Sequence, residues 1–257
     1  MNILLCNDDG ITSQGILELR RELVDRGHHV VTVAPDSERS ASGHALTVHL
    51  PIRVKAVDLG DAFPAYSTSG SPADCVCIGL SEFLPNADMV VSGINPGVNT
   101  GQDTQYSGTV AAAMEGAMRG FPALAVSVAG VMNRKFTVAA RYGADMAEHL
   151  EKHPLPKGIM CNLNIPALAE EEIRGVRLTT LNSGTMISGF QRVEFEKTHG
   201  MEQWFFPAKY ALSALDQGSD REVLDRGYVS VSYLRWQMDA APAECPFPES
   251  PGWRRDR

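Results

Sequence analysis

Basic residues are in the minority in this 257-residue chain: 23 Lys and Arg stand against 31 Asp and Glu, a net charge of -8. No stretch is rich in Lys or Arg, which excludes a nucleic-acid duplex as a natural partner. A single anionic group remains possible, because a bound cation can supply positive charge locally. No apolar run is long enough to span a membrane. The N-terminal apolar run stops at Asn7-Asp8-Asp9, too early for a signal peptide, so a soluble cytoplasmic chain is expected. The five cysteines, Cys6, Cys75, Cys77, Cys161 and Cys245, are odd in number and irregular in spacing. That pattern matches neither zinc nor redox pairs and predicts reduced thiols, mostly buried. Internal repeats and low-complexity linkers are missing too.

What is present is a periodic α/β pattern. Ile3 to Cys6 read as a short buried strand that ends at Asn7-Asp8-Asp9-Gly10. Ile16, Leu19, Leu23 and Val24 recur at helical spacing, and Gly27 stops that helix. Val30 to Ala34 form the next strand, completing a βαβ unit that predicts a parallel sheet. Residues 36 to 48 read as a polar loop. Ser71-Pro72-Ala73-Asp74 carries the cap, first-turn proline and capping-box acid of a helix start. Further strands are expected at Asp88 to Ser92, Ala123 to Val128, Ile159 to Asn164, Val176 to Leu181 and Gly227 to Leu234. Helices are expected at Ser107 to Arg119 and Phe136 to Leu150. Residues 183 to 225 are less regular, and Pro242, Pro246, Pro248 and Pro251 forbid a long terminal helix. The fold expected is α/β: a Rossmann-like, mainly parallel sheet flanked by helices. Residues 1–185 are expected to form the core, and 186–257 a smaller β-rich segment and proline-rich tail of the same domain.

Ligands of open parallel sheets bind at the carboxyl ends of strands. Three polar clusters follow strands here. Asp8-Asp9 follows the first, Ser37-Glu38-Arg39-Ser40 the second and Ser92-Gly93-Ile94-Asn95-Pro96-Gly97 the third. Neighbouring side chains converge only where a strand turns, and Gly10 permits the turn. Asp8, Asp9, a serine hydroxyl and the amide oxygen of Asn95 are hard oxygen donors suited to Mg²⁺ or Mn²⁺. A solvated turn acid beside a helix cap is the plainer reading of the aspartates. The run from Gly93 to Gly101, with Tyr106-Ser107-Gly108-Thr109 opening a helix, offers free N–H groups and hydroxyls to an anion. It is neither a Walker A loop nor a dinucleotide fingerprint. Arg39 and His44 are candidates for substrate contact, and Trp204, Phe205 and Phe206 for closing over a base or packing in a core or subunit contact.

The runs ILLCNDDGITSQGI, VAPDSERSASGHALT, STSGSPADCV and VVSGINPGVNTGQDTQYSGTVAAAMEGA, continued by CNLNIP and RGYVSVSYL, resemble the stationary-phase survival protein SurE family of 5'/3'-nucleotidases. The resemblance covers most of residues 1 to 185 and resumes at about 219 to 234. It implies a Rossmann-like core and one divalent metal ion held by Asp8, Asp9, Ser40 and Asn95. Asp8 and Asp9 are then catalytic as well. Asn99, Ser107, Gly108 and Thr109 correspond to the loop and helix start used around the phosphate. A nucleoside monophosphate is the implied substrate, with polyphosphate for some members; residues 1–185 are then the catalytic core and the C-terminal β-rich part the oligomerisation segment of a homodimer or homotetramer. Two departures stand out. Between 186 and 218 only Phe195-Glu196-Lys197 and Trp204 resemble the family's hairpin, and the proline-rich tail replaces its terminal helix.

The leading expectation is therefore metal-dependent hydrolysis of a phosphomonoester, with the nucleophile open between water and an aspartate. A non-catalytic nucleotide- or metal-binding regulator on the same fold is the rival, as is a phosphatase or exopolyphosphatase preferring a non-nucleotide substrate. The strand at Gly227 to Leu234 follows an irregular segment and needs a partner. Pairing with a second subunit is the expected solution, giving a homodimer that outlives removal of residues 240 to 257.

Overall fold

The structure, a computed structural model, describes residues 1–130, 136–184, 191–193, 203–205 and 215–238. The strands are β1 (Asn2–Cys6), β2 (His29–Pro35), β3 (Val54–Ala56), β4 (Ala65–Thr68), β5 (Met89–Pro96), β6 (Ala123–Val128), β7 (Ile159–Ile165), β8 (Val176–Leu178), β9 (Gln191–Val193), β10 (Gln203–Phe205) and β11 (Val229–Arg235). Nine of them form one sheet in the order β3-β4-β2-β1-β5-β6-β7-β11-β8. The six strands from β4 to β7 are mutually parallel. β3 and β11 each run antiparallel to their neighbours in that block, and β8 is parallel to β11.

The helices are α1 (Gln14–Asp25), α2 (Pro72–Ile78), α3 (Gly108–Met118), α4 (Phe136–Lys152) and α5 (Asp220–Asp225). Alternation along the strands divides the apolar side chains between two layers. Ile3 and Leu5 of β1 pack with Ile16, Leu19 and Leu23 of α1 and with Ala140 and Ala144 of α4. Leu4 and Cys6 face the other way, onto Cys75 and Val76 of α2 and Val110, Ala112 and Ala113 of α3. Parallel strands buried on both faces need such near-continuous apolar runs. The capping box at α2 is complete: Ser71 Oγ accepts from the Asp74 N–H at 3.1 Å, and Asp74 Oδ2 accepts from the Ser71 N–H at 2.8 Å. Cys6, Cys75 and Cys161 are buried free thiols and Cys77 is a half-buried one.

Three features differ from the sequence expectations. β3 and β4 were hidden, because β3 is a three-residue edge strand with every residue exposed. The irregular stretch contains the antiparallel pair β9–β10 and the helix α5. β11 finds its partners in its own chain, lying between β7 and β8, so it does not require a second subunit. Phe195-Glu196-Lys197, Phe206, Cys245 and the tail from residue 239 lie outside the described residues.

No helix among the described residues is long and apolar enough to cross a membrane.

Candidate functional site

The strand order runs outward in both directions from the β1–β5 pair, so the topological switch point lies between their carboxyl ends. Cys6 of β1 is paired with Ser92 of β5. Asp8 and Asp9 therefore leave the sheet beside Asn95, where the β5–β6 register shifts between Ser92 and Asn95. A cleft of about 300 Å³ opens here. It brings together Asp8 and Asp9 after β1, Ser40 after β2, Asn95 near the end of β5, Asn99 after β5 and Ser107 at the start of α3.

Asp8 is the most enclosed of the carboxylates that line the cleft, at 4% exposure. Burial pushes its carboxyl above the ordinary range, against the hydrogen bonds donated by Thr109 and by the backbone at the start of α3. The Thr109 hydroxyl donates to Asp8 Oδ1. The helix N-terminus, expected from the sequence to face an anion, already faces this carboxylate. Gly108 makes the approach possible: a Cβ there would lie 2.7 Å from Asp8 Cβ and 2.9 Å from its Oδ2.

The loop after β2 is fastened to its surroundings at several points. The Arg39 N–H donates to the Asp8 carbonyl at 2.7 Å, and the Gly43 N–H to the Tyr106 carbonyl at 2.9 Å. His44 Nε2 lies 2.8 Å from Glu115 Oε2. Between these ties, Ser40 Oγ donates to Glu38 Oε1 at 2.6 Å. On the opposite wall, Asn95 Nδ2 donates to the Gly97 carbonyl at 2.7 Å. Ser107 caps α3, its Oγ accepting from the Val110 N–H at 3.1 Å. Asn99 sits on buried polar side chains of β6 and β7, with its Nδ2 donating to Ser127 Oγ at 2.9 Å.

The sequence-derived residues thus separate into two groups. Asp8, Asp9, Ser40, Asn95, Asn99 and Ser107 line the cleft, while Arg39, His44, Gly108 and Thr109 stand behind it. The Arg39 guanidinium is bonded to Asp36 Oδ1 and the Ser69 carbonyl, at 3.2 and 3.3 Å. His44 lines a neighbouring, more apolar cavity of about 560 Å³, together with Met114, Tyr233 and Trp236. Ser107 borders both spaces. Glu38, Asp103 and Tyr106 also line the cleft; the sequence placed Glu38 and Tyr106 in polar runs there without naming them as ligands, and Asp103 was not singled out. For Asp103 and Tyr106, their position after the Gly93 to Gly101 run was the available signal. Glu115, an acid on an otherwise apolar helix, was the signal for the partner of His44.

The family described as Survival protein SurE matches residues 3–187. The 5'-nucleotidase SurE of Clostridium botulinum (strain 657 / Type Ba4) is 49% identical over 181 residues, covering 69% of this chain and 71% of that protein. The 5'-nucleotidase SurE of Petrotoga mobilis is 40% identical over 236 residues, covering 91% and 92%. The crystal structure of the SurE protein from Aquifex aeolicus superposes with a TM-score of 0.80 at 35% identity, covering 93% of this chain and 95% of that one. On the family match, the identities and the shared fold together, this chain belongs to the SurE family.

Proposed function

We propose that this protein is a divalent-metal-dependent 5'-nucleotidase, hydrolysing a nucleoside monophosphate to nucleoside and phosphate. The observation that carries the reading is the convergence of Asp8, Asp9, Ser40 and Asn95 on one cleft at the sheet's switch point. The relatives named 5'-nucleotidase SurE support the activity. Hydrolysis of 3'-monophosphates or short polyphosphate is a broader form of the same reading.

The donor set fits a hard cation. All four side chains offer oxygen, which suits Mg²⁺ or Mn²⁺. Among the described residues no group of three or more His, Cys, Asp or Glu could hold a metal ion. The ion in this reading rests instead on two carboxylates and two neutral oxygens. Existing hydrogen bonds set what each group has left to give. Ser40 sends its proton to Glu38, which leaves oxygen lone pairs. Asn95 uses its amide N–H on Gly97, which leaves its amide oxygen. A bound cation would supply Lewis-acid charge against the phosphoryl oxygens.

The chain's own residues do the remainder. The Ser107 oxygen accepts from the helix backbone, so its proton is available to a phosphoryl oxygen. Asn99, held from below, presents its side chain to the same cleft. Asp8 or Asp9 takes the proton of the attacking water, with Oδ1 of Asp8 engaged by the Thr109 hydroxyl. The water oxygen bonds to phosphorus as the ester P–O bond breaks, and the proton taken by the aspartate passes, through solvent, to the nucleoside oxygen that leaves. Preorganised donors aimed at the phosphoryl group are the main source of rate in such chemistry. The cavity beyond Ser107 gives a nucleoside room beside the phosphate.

Assembly as a homodimer or homotetramer is also proposed. The support is an exposed apolar strip, Leu46, Val48 and Leu50, at 54%, 76% and 73% exposure. The test of the activity is phosphate release from a nucleoside 5'-monophosphate and from p-nitrophenyl phosphate, with and without Mn²⁺. Turnover that needs the metal supports the nucleotidase. No turnover with any metal, pH or nucleotide would favour a non-catalytic binding protein.

A further inference from the structure

We infer that Asn164 is a positioning residue for the phosphoryl site, acting by gripping the backbone of Asn99 on both sides. Its Oδ1 accepts the Asn99 N–H at 2.8 Å, and its Nδ2 donates to the Asn99 carbonyl at 3.0 Å. One side-chain amide therefore does for Asn99 what a neighbouring strand does for a β residue. Asn162 Nδ2 adds a second donor to the same carbonyl at 3.0 Å. The Asn99 side chain is tied to Ser127 as well. The inference rests on the reading of Asn99 as a residue of the phosphoryl site.

The placement is costly enough to need a reason. Asn162, Asn164 and Ser127 are 0% exposed, in strands that otherwise bury apolar side chains. Buried amides cost free energy unless their hydrogen bonds are made. Asn162 and Asn164 are two apart on β7 and share a face, and Asn164 is in register with Ser127 of β6. Ser230 and Ser232 of β11 lie opposite Asn164 and Asn162. The result is a polar strip across three strands under the loop that carries Asn99. Both bonds from the Asn164 side chain go to that loop rather than to the sheet. Among the described residues no strand pairs with the loop at Asn99, and buried backbone groups require partners. A Val or Leu at 164 would fill the sheet but leave the Asn99 peptide free to rotate away from the cleft.

A second clamp lies two residues on. Asp220 Oδ2 accepts from the Gly101 N–H at 2.9 Å, and its Oδ1 from the Asn182 N–H at 2.9 Å. The loop leaving β5 is thus pinned from below at Asn99 and from the C-terminal segment at Gly101. Only the first pin touches a residue that lines the cleft, so it is the one expected to control chemistry.

The test is a double-mutant cycle with Asn164→Ala, Asn99→Ala and the pair, because residues acting through one group give non-additive losses. Three quantities are read: kcat, the inhibition constant for inorganic phosphate, and Tm. The expected result is a fall in kcat for each single variant, up to ~10²-fold as for a catalytic group displaced by about 1 Å. Phosphate inhibition weakens in parallel. The double variant is no slower than Asn99→Ala alone, yet its Tm falls further, because the buried amide is lost in addition. Multiplying losses, or an Asn164→Ala protein with wild-type kcat and phosphate inhibition, would overturn the inference. Wild-type values for Asn99→Ala would instead remove Asn99 from the phosphoryl site, and the inference with it. If Asn164→Ala does not fold, Asn164→Thr, nearer in volume, is put through the same cycle, and the same outcomes support or overturn the inference.

Discussion

Gly108→Ala is the substitution whose consequence is best defined by the geometry. The new Cβ would stand 2.7 Å from Asp8 Cβ and 3.0 Å from Ser42 Oγ. Carbon atoms pack best at about 3.5–4.0 Å, so Asp8 and α3 must part by roughly 1 Å. Gly116, two turns along the same helix, is a matched control. A Cβ there would lie 2.7 Å from both Cβ and Cγ2 of Val90, in the core and away from the cleft. Overpacking costs about 1–3 kcal/mol, and the helix gains at most about 1 kcal/mol when glycine becomes alanine. Both variants are therefore expected to lose about 0–2 kcal/mol, a fall in Tm of up to about 8 °C for a chain of this size. Their turnover separates them. A displacement of about 1 Å at Asp8 costs on the order of 10²-fold in kcat, whereas Gly116→Ala keeps wild-type turnover below its Tm. The assay is phosphate release at saturating substrate and metal, beside calorimetric melting. Equal turnover in the two variants, high or low, would refute the claim that Gly108 serves the Asp8 site.

Three further outcomes are expected. The hydrogen bond from His44, with those from Cys77 and Arg119, holds the Glu115 carboxyl down from 4.5 to about 2. The unfolded chain then binds the extra proton between these values, so Glu115 adds stability above about pH 4.5 that is lost as pH falls toward 2. Denaturation of Glu115→Gln across this range should show a flatter acid limb than wild type, and an unchanged limb would place the pairing elsewhere. Ser107→Ala removes a helix cap and a phosphoryl donor together. It should cost about 1 kcal/mol of stability and weaken phosphate inhibition by about 1–3 kcal/mol, and unchanged inhibition would mean that Ser107 does not face the ligand. Light scattering should show an oligomer that Leu46→Asp with Val48→Asp dissociates; a monomeric wild type would end that proposal.

Most of the fold was legible because its signals are local. The apolar runs at Ile3 to Cys6 and Ala123 to Val128 are buried on both faces, and Ser71-Pro72-Ala73-Asp74 carries its helix start in four residues. β3 and α5 were not legible, being three and six residues long, too short to set a period. The late strand β11 was recognised, but its partners were not, since pairing with β7 joins residues about 70 apart in the chain. The candidate site shows the same division. Asp8, Asp9 and Asn95 announce themselves at strand ends. Thr109 looked like a phosphate ligand, but its hydroxyl goes to Asp8, 101 residues away. His44 looked like a loop residue near substrate, and its partner Glu115 is 71 residues away. The grip of Asn164 on Asn99 spans 65 residues and has no trace in local pattern.

The central claim is that hydrolysis depends on a cation held at Asp8 and Asp9. It is tested most directly by phosphate release from a nucleoside 5'-monophosphate, measured for wild type and Asp8→Asn, each after chelation and after restoring Mn²⁺. The account predicts that chelation silences the wild type and that Mn²⁺ restores it, while Asp8→Asn stays folded and nearly inactive at every metal concentration. Wild-type turnover that survives chelation, or an Asp8→Asn protein that keeps wild-type turnover at modest Mn²⁺, would contradict it.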